Sequence, residues 1–295
     1  MKIKMSKGYR VFQVVNTIIM ILVVFVTLYP FVWLVAQSFS SDAAVAAGQV
    51  TFLPVDFTTA TYKYLLRDNR FFRYYGNTII YSAVGTFISV VGTALLAYPL
   101  SKPELRLNKF FTPFVVFTMY FAGGLIPNYI LVTQWLHLGD TIWAVVLPGA
   151  ISTFNLLLMK SFFAGLPGEL EEAAAMDGMG VYGIFVKIII PLSKPIIATM
   201  CLFYLVGMWN EWFGPFLYLN QDSMKPISLW VRQLVEGANS VDTSSSAEAS
   251  SVQATLKSAT MVLTSAPIIC VYPFVQRYFV QGMTMGAVKG SCPYI

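Results

Sequence analysis

The chain predicts an all-α membrane protein: six transmembrane helices, with one short cytoplasmic helix between the fourth and fifth. Three observations carry this. Of 295 residues, 57% are hydrophobic and only 11% charged, and the mean hydropathy is +0.66. A soluble domain of this size would carry roughly a quarter charged residues. Six nearly uncharged windows, at 11–36, 74–100, 110–136, 141–159, 195–221 and 258–276, approach or exceed the ~20 residues that cross a bilayer core as a helix. Between the fourth and fifth, the stretch "LEEAAAMDGMGVYGIFVKIIIPLSKP" is acidic, then glycine-rich, then apolar again.

The windows are continuous rather than alternating, which excludes a membrane β-barrel. The first window is too long for a secretory leader, and no small-residue cleavage site follows it closely. It reads as a retained span. With the N-terminus inside, twelve of the 19 Lys and Arg residues fall on inner segments and seven on outer ones, four of these clustered at 63–73. That balance expects both termini in the cytoplasm. The net charge of +5 reflects this topology and implies no nucleic-acid partner. Gly85, Ser89, Gly92 and Thr93 line one side of the second span and suit close helix packing. Gly123, Gly124 and Pro127 predict a break in the third. Cys201, Cys270 and Cys292 show neither a paired framework nor a metal-ligand spacing, and read as small buried hydrophobes. His137, beside Gly139 and Asp140, reads as a solvated turn residue.

The acidic stretch predicts a helix over 169–176. Alanine and glutamate favour it, and Glu169, Glu171 and Glu172 sit in the first turn, where the helix dipole favours negative charge. Asp177-Gly178 supplies the stop, since glycine tolerates the left-handed conformation. Glu169, Glu172, Ala173 and Met176 share a face, with Ala173 small enough to let another surface approach. This is the pattern of a docking element rather than a solvated charge run.

Glu172-Ala173-Ala174, three residues, Gly178, nine residues, Ile188, one residue and Ile190-Pro191 resemble the EAA motif of ABC-importer permeases, with Ile190 where leucine is usual. The tail "PFVQRYFVQGMTMGAVKG" resembles that of carbohydrate-uptake permeases of the maltose-transporter type. "FRYYGNTIIYS", "YFAGGLIPNYILV" and "LFYLVGMWNEWFGPFLYLN" are similar to a subgroup handling large oligosaccharides derived from alginate or pectin. The resemblance implies a single ABC-transporter transmembrane domain over 1–295. Within it lie a coupling segment at 164–191, outer loops at 37–73 and 218–257, and a cytoplasmic tail at 277–295. Glu172, Ala173, Ala174, Asp177, Gly178 and Pro191 would form or orient a coupling helix, with Gly178 and Pro191 setting its angle. Gly286, Lys289 and Gly290 would reach the ATPase subunits. The implied partners are a second homologous permease, two ATPase subunits, an extracytoplasmic solute-binding protein, an oligosaccharide and the lipid of a bacterial cytoplasmic (inner) membrane. ATP and magnesium would sit on the ATPases, with no cofactor in this chain. The implied cargo is an acidic, alginate-type oligosaccharide; the alternatives are neutral or pectic oligosaccharides, or a non-sugar solute.

Tyr204, Trp209, Asn210, Glu211 and Trp212 on the fifth span, with Asn155 on the fourth, offer aromatic faces for sugar rings and polar groups for hydroxyls. The tryptophans also fit interfacial anchors, with Glu211 reaching headgroups. The spans carry no cation to pair with a uronate. An intramembrane enzyme is excluded by the missing H-E-x-x-H and G-x-S-x-G patterns, and self-driven ATP hydrolysis by the missing phosphate-loop lysine motif. An ion-coupled secondary transporter would leave the docking helix unexplained.

Overall fold

The computed structural model describes residues 7–106, 108–240 and 255–271, and every regular element among them is helical. These residues fall into two compact units, divided after Asn69, Trp230 and Ala266.

In the first unit, helix Lys7–Ser38 keeps its apolar side chains exposed all round over residues 8–33, and its most apolar 18-residue stretch is 0% buried. At ~1.5 Å per residue, its 32 residues span ~48 Å, more than a ~30 Å hydrocarbon core requires. Its end enters a small folded cap. Ala36 packs on Ala44 and Val50, the Trp33 indole donates to the Val50 carbonyl at 3.1 Å, and the Tyr62 hydroxyl donates to Ser38 Oγ at 2.8 Å. Phe39 stacks on both Phe57 and Tyr62. The segment expected as a loop over 37–73 therefore contains helices Asp42–Ala46 and Ala60–Leu65 and the start of Asn69–Leu100. Helix Thr255–Val271 begins in this unit, where Ser258 Oγ donates to the Gln37 side-chain oxygen at 2.9 Å.

The second unit is organised by the long helix Asn69–Leu100. Its small side packs tightly: a Cβ added at Gly85 would lie 2.9 Å from Met208 Sδ. In lipid such contact stabilises through dispersion, since removal from water is not at stake. The core combines Ala94, Ala97, Tyr98, Leu156, Met159, Phe163, Ile189 and Met200.

Three windows expected as single spans are interrupted. Asn108–Tyr120 and Leu125–Trp135 meet at 108°, because Gly124 takes φ +93° and Pro127 lies in the following turn. This is the predicted break. The window 141–159 splits into Ile142–Val146 and Thr153–Ala164 around Pro148-Gly149, with Ser152 accepting from the Asn155 amide as the new N-cap. The window 195–221 is helical over Lys194–Asn210, extended at Glu211, and helical again over Phe213–Tyr218. Among the described residues, two helices are thus long and apolar enough to cross a membrane, or up to four if each bent pair counts as one span. The stretch 218–257 also differs from the loop expected: amphipathic helix Ile227–Ser240 occupies much of it. The described part of the sixth window ends at 271. The tail 277–295, with Gly286, Lys289 and Gly290, and the Ser-rich run from 241 lie outside the described residues.

Candidate functional sites: an acidic helix and a polar cleft

The helix expected over 169–176 is present as Glu169–Met176. Its stop is a Schellman motif: the Met179 amide donates to Ala174 O at 3.0 Å and the Gly178 amide to Ala175 O at 3.0 Å. Gly178 carries φ +80°. A Cβ there would touch nothing within 4 Å, so the demand for glycine is conformational, worth about 1–2 kcal/mol.

One side of this helix holds it to the unit. Glu171 accepts from the Tyr98 hydroxyl at 2.9 Å and pairs with Lys102, whose ammonium lies 4.9 Å from the Tyr98 ring centroid. Ala174 is buried in the core. The other side is open. Glu169, Glu172, Ala173 and Met176 are all exposed, Met176 at 88%, and Val181 and Tyr182 beyond the glycine are exposed as well. Of the residues expected on a docking surface, Ala174 thus serves packing while Glu172 and Ala173 stand free. Pro191 lies within the short helix Ile190–Leu192, two residues before a sharp turn. The 81° turn falls at Ser193, between Val181–Leu192 and Lys194–Asn210, following a π-helical turn at Phe185–Ile189.

A second feature is a cleft of about 530 Å³ lined by parts of four segments, including Asn128, Ser152, Asn155, Tyr204, Glu211 and Tyr218. The Tyr204 hydroxyl shares a hydrogen bond with Thr93 Oγ1 at 2.7 Å and accepts from the Ser152 amide at 3.1 Å. It fastens the non-helical stretch 147–152 to two helices. Glu211 ends its helix in extended conformation, and its Oε1 accepts from the Gly214 amide at 2.8 Å. The carboxylate starts the next short helix while still lining the cleft. Among the described residues that line it, none is basic.

At the N-terminal end of helix Asn69–Leu100 sits a polar latch. The Tyr74 hydroxyl donates to Asp222 at 2.6 Å, Asn77 donates to the carbonyls of Ser223 and Lys225, and the Tyr81 hydroxyl donates to the Met224 carbonyl at 2.7 Å. Asp140, in the left-handed region at φ 55°, accepts from the Asn220 and Gln221 amides. The Gln221 amide, then that of Asn220, hold its carboxyl below the usual range, and Tyr74, then Lys225, do so for Asp222. His137, also in the left-handed region at φ 51°, is exposed, as a solvated turn residue should be.

Known proteins share this fold and sequence. The chain is 40% identical over 287 residues to Protein LplC of Bacillus subtilis, covering 97% of each. It is 35% identical to the polygalacturonan/rhamnogalacturonan transport system permease protein YtcP of the same organism, covering 95% of this chain and 99% of that one. A subunit of a bacterial ABC transporter involved in the import of the acidic polysaccharide alginate superposes with a TM-score of 0.84 at 33% identity, over 94% of this chain and all of that one. The chain belongs to the carbohydrate ABC-transporter permeases. No family model matches it.

As a permease of this family, the chain is a multi-pass membrane protein that transports rather than catalyses. Of the six expected path residues, the cleft unites Asn155, Tyr204 and Glu211. The others point elsewhere: Trp209 is buried and meets Tyr75 edge-on, Asn210 donates to the Val206 carbonyl, and Trp212 packs against Phe213 and Phe216. Asn128 and Tyr218 go unread because hydropathy windows do not fix helical register, and Ser152 because such windows do not show the non-helical stretch 147–152. Cys270 is exposed rather than buried, and Cys201 is partly buried.

Proposed function

We propose that the chain is one of two membrane subunits of a bacterial importer for acidic, alginate-type oligosaccharides. It would lie in the cytoplasmic membrane with six spans, counting the broken ones, and with both termini inside. Sugar arrives on an extracytoplasmic binding protein. Two ATPase subunits, which carry ATP and magnesium, seat the acidic helix. ATP binding draws the coupling helices together and turns the cavity outward; hydrolysis resets it.

One observation carries this reading: an acidic helix fixed on one side through Glu171 and Ala174, with Glu172, Ala173 and Met176 left open on the other. An exposed methionine beside carboxylates, on a helix braced from behind, is suited to seating in another protein. The alginate importer's subunit supports an acidic cargo. YtcP's cargo favours a pectic oligosaccharide as the second reading, and a cleft whose described lining offers a carboxylate and carboxamides but no base favours a neutral one.

The test is ATP hydrolysis by the complex purified through a tag on this chain, with binding protein and a panel of uronate and neutral oligosaccharides. Stimulation by alginate oligosaccharides alone is expected. Stimulation by pectic or neutral ones alone would replace the cargo, and absence of any ATPase partner would remove the importer reading.

A further inference from the structure

A second cleft, of about 690 Å³, opens where the turn after helix Asn69–Leu100 meets the start of Asn108–Tyr120 and the middle of Thr153–Ala164. Among the described residues, its lining includes Arg106, Lys109 and Lys160 against a single acid, Glu104. The site is held in shape by a chain of hydrogen bonds. Lys160 Nζ donates to Thr112 Oγ1 at 2.7 Å, and Thr112 donates to Asn108 Oδ1 at 2.6 Å. The Asn108 amide donates in turn to the carbonyls of Leu100 at 3.0 Å and Lys102 at 3.1 Å. An ammonium has three protons, so this bond leaves Lys160 two for a ligand. Among the described residues, neither Arg106 nor Lys109 forms an ion pair. A surplus of cations lining one cleft, with Lys160 held in place by Thr112, calls for an anion.

The surroundings say which anion. Directly beyond the cleft, helix Asn108–Tyr120 buries no residue and exposes Phe110, Phe114 and Phe117, with Phe110 stacked on Phe114. A ligand here meets cations at one end and an apolar, lipid-type surface at the other. We propose that this cleft binds the headgroup of an anionic phospholipid, its phosphate against Arg106, Lys109 and Lys160 and its acyl chains along the Phe110–Phe114–Phe117 face. Basic pockets between membrane helices recognise such headgroups. The inference rests on the membrane placement of this helix and not on the sugar or the ATPase. The same turn carries Lys102, which holds Glu171, so a bound lipid would also brace the acidic helix.

The test uses the assembled transporter, delipidated and titrated with phosphatidylglycerol while bound lipid is counted by native mass spectrometry. Parallel titrations use phosphatidylcholine and glycerol 3-phosphate. Wild type is expected to retain phosphatidylglycerol in preference to the other two. Arg106→Gln with Lys109→Gln should weaken that retention roughly five-fold per base removed, while Lys225→Gln, remote along the long helix, leaves it unchanged. Assembly of each variant is verified by its co-purifying subunits. Equal retention in the double variant, equal binding of phosphatidylcholine, or displacement of the lipid by glycerol 3-phosphate would each overturn the proposal. Loss of sugar-stimulated hydrolysis with lipid retention intact would instead count against the transport reading.

Discussion

The two ends of helix Asn69–Leu100 are built differently. From Tyr74 to Tyr98 is about 36 Å of helix at ~1.5 Å per residue. The Tyr74 end is tied down by hydrogen bonds from Tyr74, Asn77 and Tyr81 to the single segment 222–225. Asp140 adds two backbone contacts to the adjoining residues. The Tyr98 end holds its neighbour, the acidic helix, through the Glu171 clamp and one buried alanine, and leaves the other side uncovered. Many short bonds to one segment fix a position. A single clamp with a glycine elbow fastens a helix at one side only. The contrast teaches that this chain is stiffened at one end and presents its surface for contact at the other.

Changes at the two ends should therefore fail in different ways. The largest effect is expected from Gly178→Pro, because proline cannot reach φ +80°. The protein should still insert, while sugar-stimulated ATP hydrolysis falls to background; normal stimulation would remove the elbow from the mechanism. Tyr74→Phe with Asn77→Ala should lower stability by about 2 kcal/mol in total, seen as a lower melting temperature, with coupling per folded transporter retained. Glu171→Gln keeps a partner for Tyr98 but loses the charge facing Lys102. Both side chains are partly exposed, so stimulated hydrolysis should drop by a factor of only about two to five.

The smallest effect concerns pH. The folded-state carboxyls of Asp140 and Asp222 titrate below their ordinary value of 3.8. Their contribution is full above the unfolded range near 3.9 and is lost as pH falls through the lower folded values. The stability gap between wild type and Asp140→Asn/Asp222→Asn should hold at neutral pH and close below about pH 4. A gap that persisted in acid would show that the latch does not depend on these charges.

The sequence made some of this legible and not the rest, for physical reasons. The acidic helix could be read to its bounds, since propensity, first-turn carboxylates and a left-handed glycine are all local signals. The break at Gly124 was visible for the same reason. The break at 147–152 was not, because a hydropathy window counts charges and is blind to Pro148-Gly149. Tyr204 was recognised as special, yet its hydroxyl is occupied by Thr93 and Ser152, a tertiary arrangement no spacing reveals. Glu211 looked like a lone acid in a span. Its bond to the Gly214 amide makes it a helix starter as well, a role that an acid three residues before a Gly-Pro pair could have suggested.

The most direct test of the account places a photo-crosslinking side chain at Met176 in the intact transporter, with the same group at Ser223 as the contrast. The Met176 adduct is expected to join the ATPase subunit and the Ser223 adduct never to do so. An adduct from Met176 to membrane subunits or lipid alone would contradict it, and would leave the acidic helix without the partner its exposed face was taken to meet.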